Sequence, residues 1–408
     1  MDNVRVVITG LGSVSPHGRG VRALWQGLLE GRAGFRPITL FDAKVFRNPL
    51  AGEVEGYPVL PDGPPRAVRM LHDACAEALA DALGLPGEGA TPPVSPDGLA
   101  EAAIVTGTNF GGMSVAEKAL TQGETDPRSA SLEGYLFGHA GDSVAASFGL
   151  GGPRLNLSLS CASGAAAIGL ASDLIRRGRA EAALACGYDE LSLFVYAGLS
   201  ALHAITPETI RPFDKRRKGT LFSEGAGVVV VESLEHARKR AAPRLYAELL
   251  GRALNNDAYH MTAPEQEAHG IQALMRAALS DARVSPDEIG HLNLHATGTP
   301  YNDKIETKAV LGVFGERGKT IPVAAVKSSI GHTMGAAGTL ETIAAILSLR
   351  EGKVPPVLGL DPAEKDPECG LLTPTGAPLE ARFEKAMKTS YGFGGTNAAL
   401  VLGKAPGA

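Results

Sequence analysis

The sequence places a cysteine at the junction of two segments with different patterns. Cys161 lies in the stretch SLSCASGA, after the strand-like run LNLSLS (155–160) and before an Ala/Gly-rich run (163–177) that is typical of a helix. At a helix N-terminus, free backbone N–H groups and the helix dipole favour an anionic thiolate, and the same groups can stabilise an oxyanion. A buried structural cysteine is the alternative that these residues leave open.

Two histidines and a lysine follow other predicted strands. His295 occurs in NLHATGTPYND, directly after a strand-like run, and His332 occurs in VKSSIGHTMGAAGTLE, on a Gly-rich turn before a helix. Lys327 lies at the end of the strand that precedes this turn. Because α/β proteins build their sites at strand ends on one side of a sheet, we expect the three side chains to converge. Two imidazole donors aimed at one carbonyl suit carbon–carbon bond formation, whereas a Cys–His pair also suits a cysteine hydrolase.

The last motif is the Gly-rich sequence SYGFGGTNAAL (390–400) between two predicted strands. Three glycines around Phe393 exceed what a simple hairpin needs, so we interpret the segment as a mobile loop whose backbone approaches a substrate. A plain hairpin connection is the other interpretation, and both stay open at the level of the sequence.

The rest of the chain predicts a scaffold that brings strand ends together. Short aliphatic runs alternate with helical stretches such as 65–84 and 335–351, which favours layers of helices packed on mostly parallel sheets. With 408 residues the chain is too long for one ordinary core, and a new strand–turn–helix series begins near residue 250. We therefore predict two halves, 1–250 with the thiol and 251–408 with the histidines and the Gly-rich loop.

Composition argues against several classes of function. The net charge of −5 provides no overall basic field for nucleic acid or an anionic membrane surface. No run of about 18 apolar residues occurs, so no membrane span is predicted. The four cysteines form no CxxC pair, which argues against structural zinc. Together with a start that does not resemble a signal peptide, they predict a reducing cytoplasm.

The motifs CASGA, HATGTPYND, VKSSIGHTMGAAGTLE and GFGGTNAAL, in this order, resemble those of the β-ketoacyl-ACP synthases, specifically the elongating type II group. The resemblance extends over nearly the whole chain, including VVITGLGSVSPHG and RPFDKRRKGTLFSEGAGVVVVE. It implies an α/β thiolase fold with five layers, α-β-α-β-α, built from two similar halves. It also implies decarboxylative condensation of malonyl-ACP with an acyl chain, in fatty-acid, polyketide or polyene biosynthesis, with no metal and no other cofactor.

The resemblance assigns six catalytic positions: Cys161, His295, His332, Lys327, Glu341 and Phe393. The cysteine would hold the acyl chain as a thioester. The histidines would assist malonyl decarboxylation and stabilise the enolate, and the lysine and glutamate would form an ion pair that orders the site. The amides of the cysteine and the phenylalanine would form the oxyanion hole.

Further positions match contacts with substrate and partners. Those along the substrate path are Phe110, Thr297, Thr299, Gly392 and Gly394. Phe110 would gate the deep end of the acyl pocket, although ordinary core packing explains it equally well. The threonines would touch the phosphopantetheine arm that the carrier protein brings, and the glycines belong to the gating loop. An acidic acyl carrier protein would dock near four arginines: Arg66, Arg69, Arg128 and Arg211.

The resemblance also implies a dimer, formed with a second copy or with a related ketosynthase subunit. The segment EGYLFGHAGDSV (133–144) would line the pocket of the partner subunit. An alternative from a different class is a non-catalytic subunit that sets chain length in a heterodimer. Such subunits typically lack the cysteine, which this chain keeps together with both histidines.

Overall fold

The computed structural model describes residues 4–60, 63–87, 89–123, 126 and 130–406. Its strands are β1 (Val6–Ser15), β2 (Gly18–Arg19), β3 (Arg36–Pro37), β4 (Leu50–Ala51), β5 (Ala103–Gly107), β6 (Arg154–Leu157), β7 (Ala182–Asp189), β8 (Gly225–Ser233), β9 (Ala247–Asn256), β10 (His291–Asn293), β11 (Val323–Ala324), β12 (Lys353–Val354), β13 (Leu379–Glu380), β14 (Lys385–Tyr391) and β15 (Thr396–Lys404). Its α-helices are α1 (Val21–Leu29), α2 (Arg66–Ala82), α3 (Met113–Thr121), α4 (His139–Phe148), α5 (Ser163–Arg176), α6 (Leu193–Ala201), α7 (Leu234–Lys239), α8 (His269–Ala282), α9 (Asn302–Phe314), α10 (Lys327–Ile330) and α11 (Ala337–Glu351). Among these helices, none is both long and apolar enough to cross a bilayer.

The main sheet contains two sets of five strands with the same topology. Across the sheet the first set is ordered β1-β8-β7-β5-β6 and the second β9-β15-β14-β10-β11. If the five strands of each set are numbered in chain order, their order across the sheet is first, fifth, fourth, second, third in both sets. In both sets the second strand is parallel to the third and fourth, and the fifth is antiparallel to the fourth and first. One topology is therefore used twice, and the sets meet where β1 pairs with β9.

The predicted alternation of helices and strands is confirmed, but the sheets are less parallel than expected. Only three strands of each half run parallel to one another. The connection from β14 to β15, residues 392–395, is too short for a crossover helix, so these strands must run antiparallel. The predicted boundary near residue 250 falls within β9, where the second set of strands begins.

Two equivalent helices lie between the halves. The helix α5 follows the third strand of the first set, and α11 follows the third strand of the second. Their backbones approach closely through glycines. A Cβ on Gly164 would lie 2.6 Å from the carbonyl oxygen of Gly335, and one on Gly338 would overlap the backbone nitrogen of Ala165. The N-terminal ends of both helices therefore lie side by side, with the residues that precede them.

The outer layers complete the thiolase arrangement. The helices α2 and α4 pack on the first half over a buried apolar cluster, and α8 and α9 pack on the second half over another. A third cluster surrounds α5 and α11 in the middle. With each set of five strands counted as one sheet layer, the order of layers is helix, sheet, helix, sheet, helix. The thiolase fold predicted from the sequence is confirmed.

Candidate active site

Cys161 lies on a sharp turn between β6 and α5. Ser160 before it adopts a positive φ of 51°, a conformation that costs energy for a residue with a side chain. The Ser163 hydroxyl holds the turn, because its Oγ accepts the N–H of Leu159 at 2.8 Å and donates to the Ser160 carbonyl at 2.6 Å. The sulfur lines a cavity of about 560 Å³. The turn thus presents the thiol to the cavity, as the sequence predicted.

The thiol is nevertheless not a preformed thiolate. Burial raises the pKa of Cys161 to about 12; the Lys327 ammonium opposes the rise and the Asp189 carboxylate adds to it. The N–H of Phe393, which donates to the sulfur, also favours the anion. The anionic form expected from the helix N-terminus is wrong because a helix dipole contributes only about 1 kcal/mol, less than one pKa unit. Loss of water around the sulfur costs more.

The first turns of α9 hold the loop that carries His295. The carboxylate of Glu306 accepts the N–H groups of His295 and Ala296, both at 2.8 Å, and Asp303 accepts the N–H of Gly298 at 3.1 Å. The two carboxylates are three residues apart and share a helix face. Ala296 keeps a positive φ of 42°, so the loop depends on these bonds. Sequence reasoning missed both carboxylates; their signal is the spacing DKIE directly after the histidine motif.

Lys327 is buried against His295 and Glu341. Its Nζ lies 2.5 Å from Oε1 of Glu341, 2.8 Å from the carbonyl oxygen of His295 and 3.2 Å from Nδ1 of His295. The expected Lys327–Glu341 ion pair is therefore present. A second buried lysine, Lys388 of β14, places its Nζ 2.7 Å from Oε2 of Glu341. Sequence reasoning missed Lys388; its signal is a lysine inside the strand AMKTSY, since a buried ammonium requires a carboxylate.

Both imidazoles of the site are neutral. Burial lowers the pKa of His295 and of His332 well below the usual value, and the Lys327 ammonium lowers both further. Nδ1 of His332 accepts the N–H of Met334 at 3.2 Å, and Nδ1 of His295 faces the Lys327 ammonium. We therefore assign the ring proton to Nε2 in both residues. The ring centroids are 5.4 Å apart, and both rings line the cavity beside the thiol.

The Gly-rich loop between β14 and β15 closes the site from the opposite side. A Cβ on Gly392 would lie 2.8 Å from Cβ of Ser160, so only glycine allows this approach to the cysteine turn. The N–H of Gly394 donates to the Met261 carbonyl at 2.7 Å, and Nδ2 of Asn256 donates to the Gly394 carbonyl at 2.8 Å. The segment is a hairpin connection in which Gly392, Phe393 and Gly395 line the cavity, whereas Gly394, predicted on the substrate path, does not. Its predicted mobility stays a prediction.

Phe110 lines the same cavity and packs in an apolar cluster with Met334 and Phe393. Asp189, at the end of β7, accepts the N–H of Phe110 at 3.0 Å and that of Gly335 at 2.6 Å. This buried carboxylate connects the loop that carries Phe110 to the turn that begins α11. Sequence reasoning missed it. Burial raises the pKa of Asp189 to about 6, and the hydrogen bond from the Thr108 hydroxyl opposes the rise.

The two threonines predicted on the substrate path, Thr297 and Thr299, also line the cavity, with their hydroxyls 2.9 Å apart.

The arginines predicted to meet a carrier protein differ in exposure. Arg66 is only 4% exposed and is paired with Glu224, so its predicted role is wrong: the first turn of α2 faces the interior. Arg69 is partly exposed and lies over the ring of Tyr57. Arg211 is partly exposed as well. Arg128 lies outside the described residues.

The basic run 215–218 is exposed except at its third residue. Arg217 is buried, and its guanidinium donates to the carbonyl oxygens of Thr299 and Pro300, both at 3.0 Å. It thereby fixes the loop that presents the two threonines. Lys218 is exposed and lines the mouth of the cavity. Lys218, rather than buried Arg66, is therefore the basic residue that lines the opening of the cavity.

Comparisons with known proteins identify the family of this chain. Residues 3–237 match the β-ketoacyl synthase N-terminal domain and residues 246–361 the C-terminal domain. The 3-oxoacyl-[acyl-carrier-protein] synthase 2 of Coxiella burnetii is 35% identical over 99% of both chains, and that of Vibrio harveyi is also 35% identical. Among solved structures, the ishigamide ketosynthase/chain length factor is 35% identical with a TM-score of 0.87, covering 99% of this chain and 100% of the other. A type II polyketide ketosynthase in complex with its acyl-carrier protein is 29% identical with a TM-score of 0.89, at the same coverage. The chain belongs to the β-ketoacyl synthase family, a family of acyltransferases with the thiolase fold.

Proposed function

We propose that this protein is a 3-oxoacyl-[acyl-carrier-protein] synthase that condenses malonyl-ACP with an acyl chain held on Cys161. The observation that carries the proposal is one cavity containing a thiol, which accepts the Phe393 N–H, and two neutral imidazoles that both present Nε2–H. A cysteine hydrolase needs an imidazole nitrogen free to accept the thiol proton. Here each Nδ1 already faces a donor, so both rings act as hydrogen-bond donors.

In the first step the acyl chain moves from the carrier to the enzyme. The Cys161 sulfur forms a thioester bond to the acyl carbon while the bond to the phosphopantetheine sulfur breaks. The thiol proton leaves Cys161 and the departing phosphopantetheine thiolate takes up a proton, so no net base is consumed. The Phe393 N–H next to the sulfur is placed to stabilise the oxygen of the tetrahedral intermediate.

In the second step carbon attacks the stored thioester. Malonyl-ACP loses CO₂, and the charge that develops on its thioester oxygen is stabilised by the Nε2–H groups of His295 and His332. The enolate carbon then bonds to the acyl carbon on Cys161, whose sulfur leaves as a thiolate and takes up one proton. The product is a 3-oxoacyl-ACP two carbons longer. Loss of CO₂ drives the step, so we propose no resident cofactor.

The partners follow from the chemistry of the substrates. We propose that an acyl carrier protein docks at the opening of the cavity that Lys218 lines, and that the partly exposed Arg69 and Arg211 contribute to the contact. Because solved relatives include ketosynthase/chain length factor pairs, we propose that this chain works as a dimer, with a second copy or with a related subunit. We keep the cytoplasm as the proposed compartment, on the basis of its few cysteines.

The test is the intact mass of the protein after mixing with a panel of acyl-ACP thioesters. We expect a mass increase equal to the acyl group in the wild type and none in Cys161→Ala. Addition of malonyl-ACP should then discharge the acyl group and produce 3-oxoacyl-ACP. If the wild type, alone or with a co-expressed related subunit, loads no member of the panel, the protein is a non-catalytic subunit and the proposal fails.

A further inference from the structure

The catalytic cavity is bordered by a buried charge cluster with one more lysine than the proposed reaction uses. Glu341 of α11 receives two ammonium groups, Lys327 at 2.5 Å on Oε1 and Lys388 at 2.7 Å on Oε2. All three side chains are at most 1% exposed. One carboxylate between two lysines leaves an excess positive charge, which is costly to bury without a function or a further partner.

The position of Lys388 in the sheet directs it toward the histidines. Successive residues of a strand point to opposite faces, so Lys388 faces α11 while Thr389 faces α9 and donates to Glu306 at 3.1 Å. The ammonium of Lys388 is also held by the hydroxyl of Ser390 at 2.9 Å and by the carbonyl of Thr389. These contacts fix the ammonium, and through Glu341 they fix Lys327 against His295.

The proposed reaction has two half-reactions, acyl transfer to Cys161 and the malonyl reaction at the histidines. The surroundings of Lys388 indicate which of the two it affects. Burial lowers the pKa of the Lys388 ammonium and Lys327 lowers it further, whereas Glu341 and, across the strand, Glu306 of α9 favour the charged form. Its charge acts on both imidazoles, whose pKa it lowers further after burial and Lys327 have done so. The Cys161 thiol lies on the turn between β6 and α5 in the first half, whereas Lys388, Glu341 and Lys327 lie in the second half with both histidines. Lys388 therefore belongs to the histidine side of the site.

We propose that Lys388 is a positioning residue for decarboxylation and condensation. By occupying Oε2 of Glu341, it holds the carboxylate so that Lys327 keeps His295 in the Nε2–H form, and its charge stabilises the enolate. This inference rests on the proposed function and adds a residue to it. Acyl transfer to Cys161 depends on Lys388 only indirectly, through Glu341 and Lys327, whereas the malonyl half-reaction depends on the imidazoles that Lys388 acts on directly.

The experiment measures the two half-reactions separately in Lys388→Met. We expect acyl loading of Cys161, followed by intact mass, to stay within about twofold of wild type. We expect CO₂ release from malonyl-ACP and condensation to fall by about tenfold or more. Removal of a positive charge raises a neighbouring histidine pKa, so the acid limb of the condensation pH profile should move to higher pH. Lys388→Arg, which keeps the charge, should restore at least part of the rate.

The matched control is Lys385→Met on the same strand. Lys385 pairs with Glu288 at 2.6 Å near the surface, so the same substitution there should leave both half-reactions unchanged. Lys388→Gln provides a second neutral variant should Lys388→Met not fold. Equal losses of loading and condensation, an unchanged condensation rate and acid limb, or unfolding of both neutral variants would overturn the proposal. Failure of the wild type to load or condense would instead overturn the proposed function.

Discussion

The backbone N–H of Phe393 donates to the sulfur of Cys161, which joins the last loop of the second half to the nucleophile of the first. The loop also bonds to the segment that follows β9, through Gly394 and Met261. The proposed oxyanion donor and part of the cavity wall thus belong to the same short connection. Displacement of this loop would remove the donor and open the cavity together.

The reactivity of Cys161 should depend on pH as a buried thiol rather than as a stabilised thiolate. Because burial raises its pKa to about 12, the thiolate fraction at neutral pH is very small. We expect alkylation of the peptide that contains Cys161 to accelerate by about tenfold per pH unit between pH 7 and 10. Iodoacetamide labelling with peptide mass analysis measures this rate. A plateau near pH 8 would show that the helix N-terminus outweighs burial.

Gly392→Ala should impair catalysis through a steric effect. The new Cβ would lie 2.8 Å from Cβ of Ser160 and 3.0 Å from the carbonyl of Leu159, so the loop must move away from the nucleophile. We expect condensation to fall by about tenfold or more, because small misplacements of reacting groups are costly. Gly370→Ala is the control, since its Cβ meets only the Pro367 carbonyl at 3.7 Å. Equal activity of the two variants would contradict the role given to the loop.

Phe110→Ala should change the length of the chain that the enzyme accepts. The ring lines the cavity and packs against the apolar cluster that contains Met334, so its removal should lengthen the proposed acyl pocket and cost about 1–3 kcal/mol of stability. We expect the best-loaded acyl-ACP to be longer by two or more carbons in the variant. Loading of the acyl-ACP panel, followed by intact mass, measures the shift. An unchanged preference with lowered stability would assign Phe110 to core packing alone.

His236 should make the stability of the first half depend on pH. Its Nδ1 lies 2.7 Å from Glu232, and this hydrogen bond raises the pKa of the imidazole above 6.5. The stabilisation that protonated His236 gives to the folded state is therefore complete below pH 6.5. It disappears as the pH rises through the higher pKa of the folded state. His236→Asn should lose about 1 kcal/mol at pH 5.5 and much less at pH 9. Urea unfolding of the wild type and the variant at the two pH values measures this loss of stability. A larger loss at pH 9 than at pH 5.5 would contradict the prediction.

Much of the site could be predicted because its residues occur at strand ends. Cys161, His295 and Phe393 each follow a strand and His332 follows α10, the short helix after β11; their motifs identify all four before any coordinates. The carboxylates and the second lysine were missed for a physical reason. Asp189, Glu306 and Lys388 act through contacts between elements far apart in the chain, and spacing within one segment carries no record of such contacts.

Two errors have the same origin. Arg66 was expected at the surface because the family resemblance places it among the arginines that meet the carrier protein, yet the residue is paired with buried Glu224. The thiolate was expected from the helix N-terminus, which is a local feature, whereas burial depends on how the two halves pack around the turn. The residue types at these positions were readable from the sequence, whereas the burial of the Arg66 side chain and of the Cys161 thiol was not.

The repeated topology gives each reactant its own half of the molecule. Cys161 and His332 follow the third strand of their respective sets, and the helices behind them, α5 and α11, pack closely. In the proposed reaction the acyl electrophile is therefore attached to one repeat, while the malonyl carbonyl is held by the other. Residues 158–162 join β6 to α5, whereas residues 325–336 join β11 to α11 and include α10, so one repeated topology brings an electrophile and a carbanion face to face through two connections of different length.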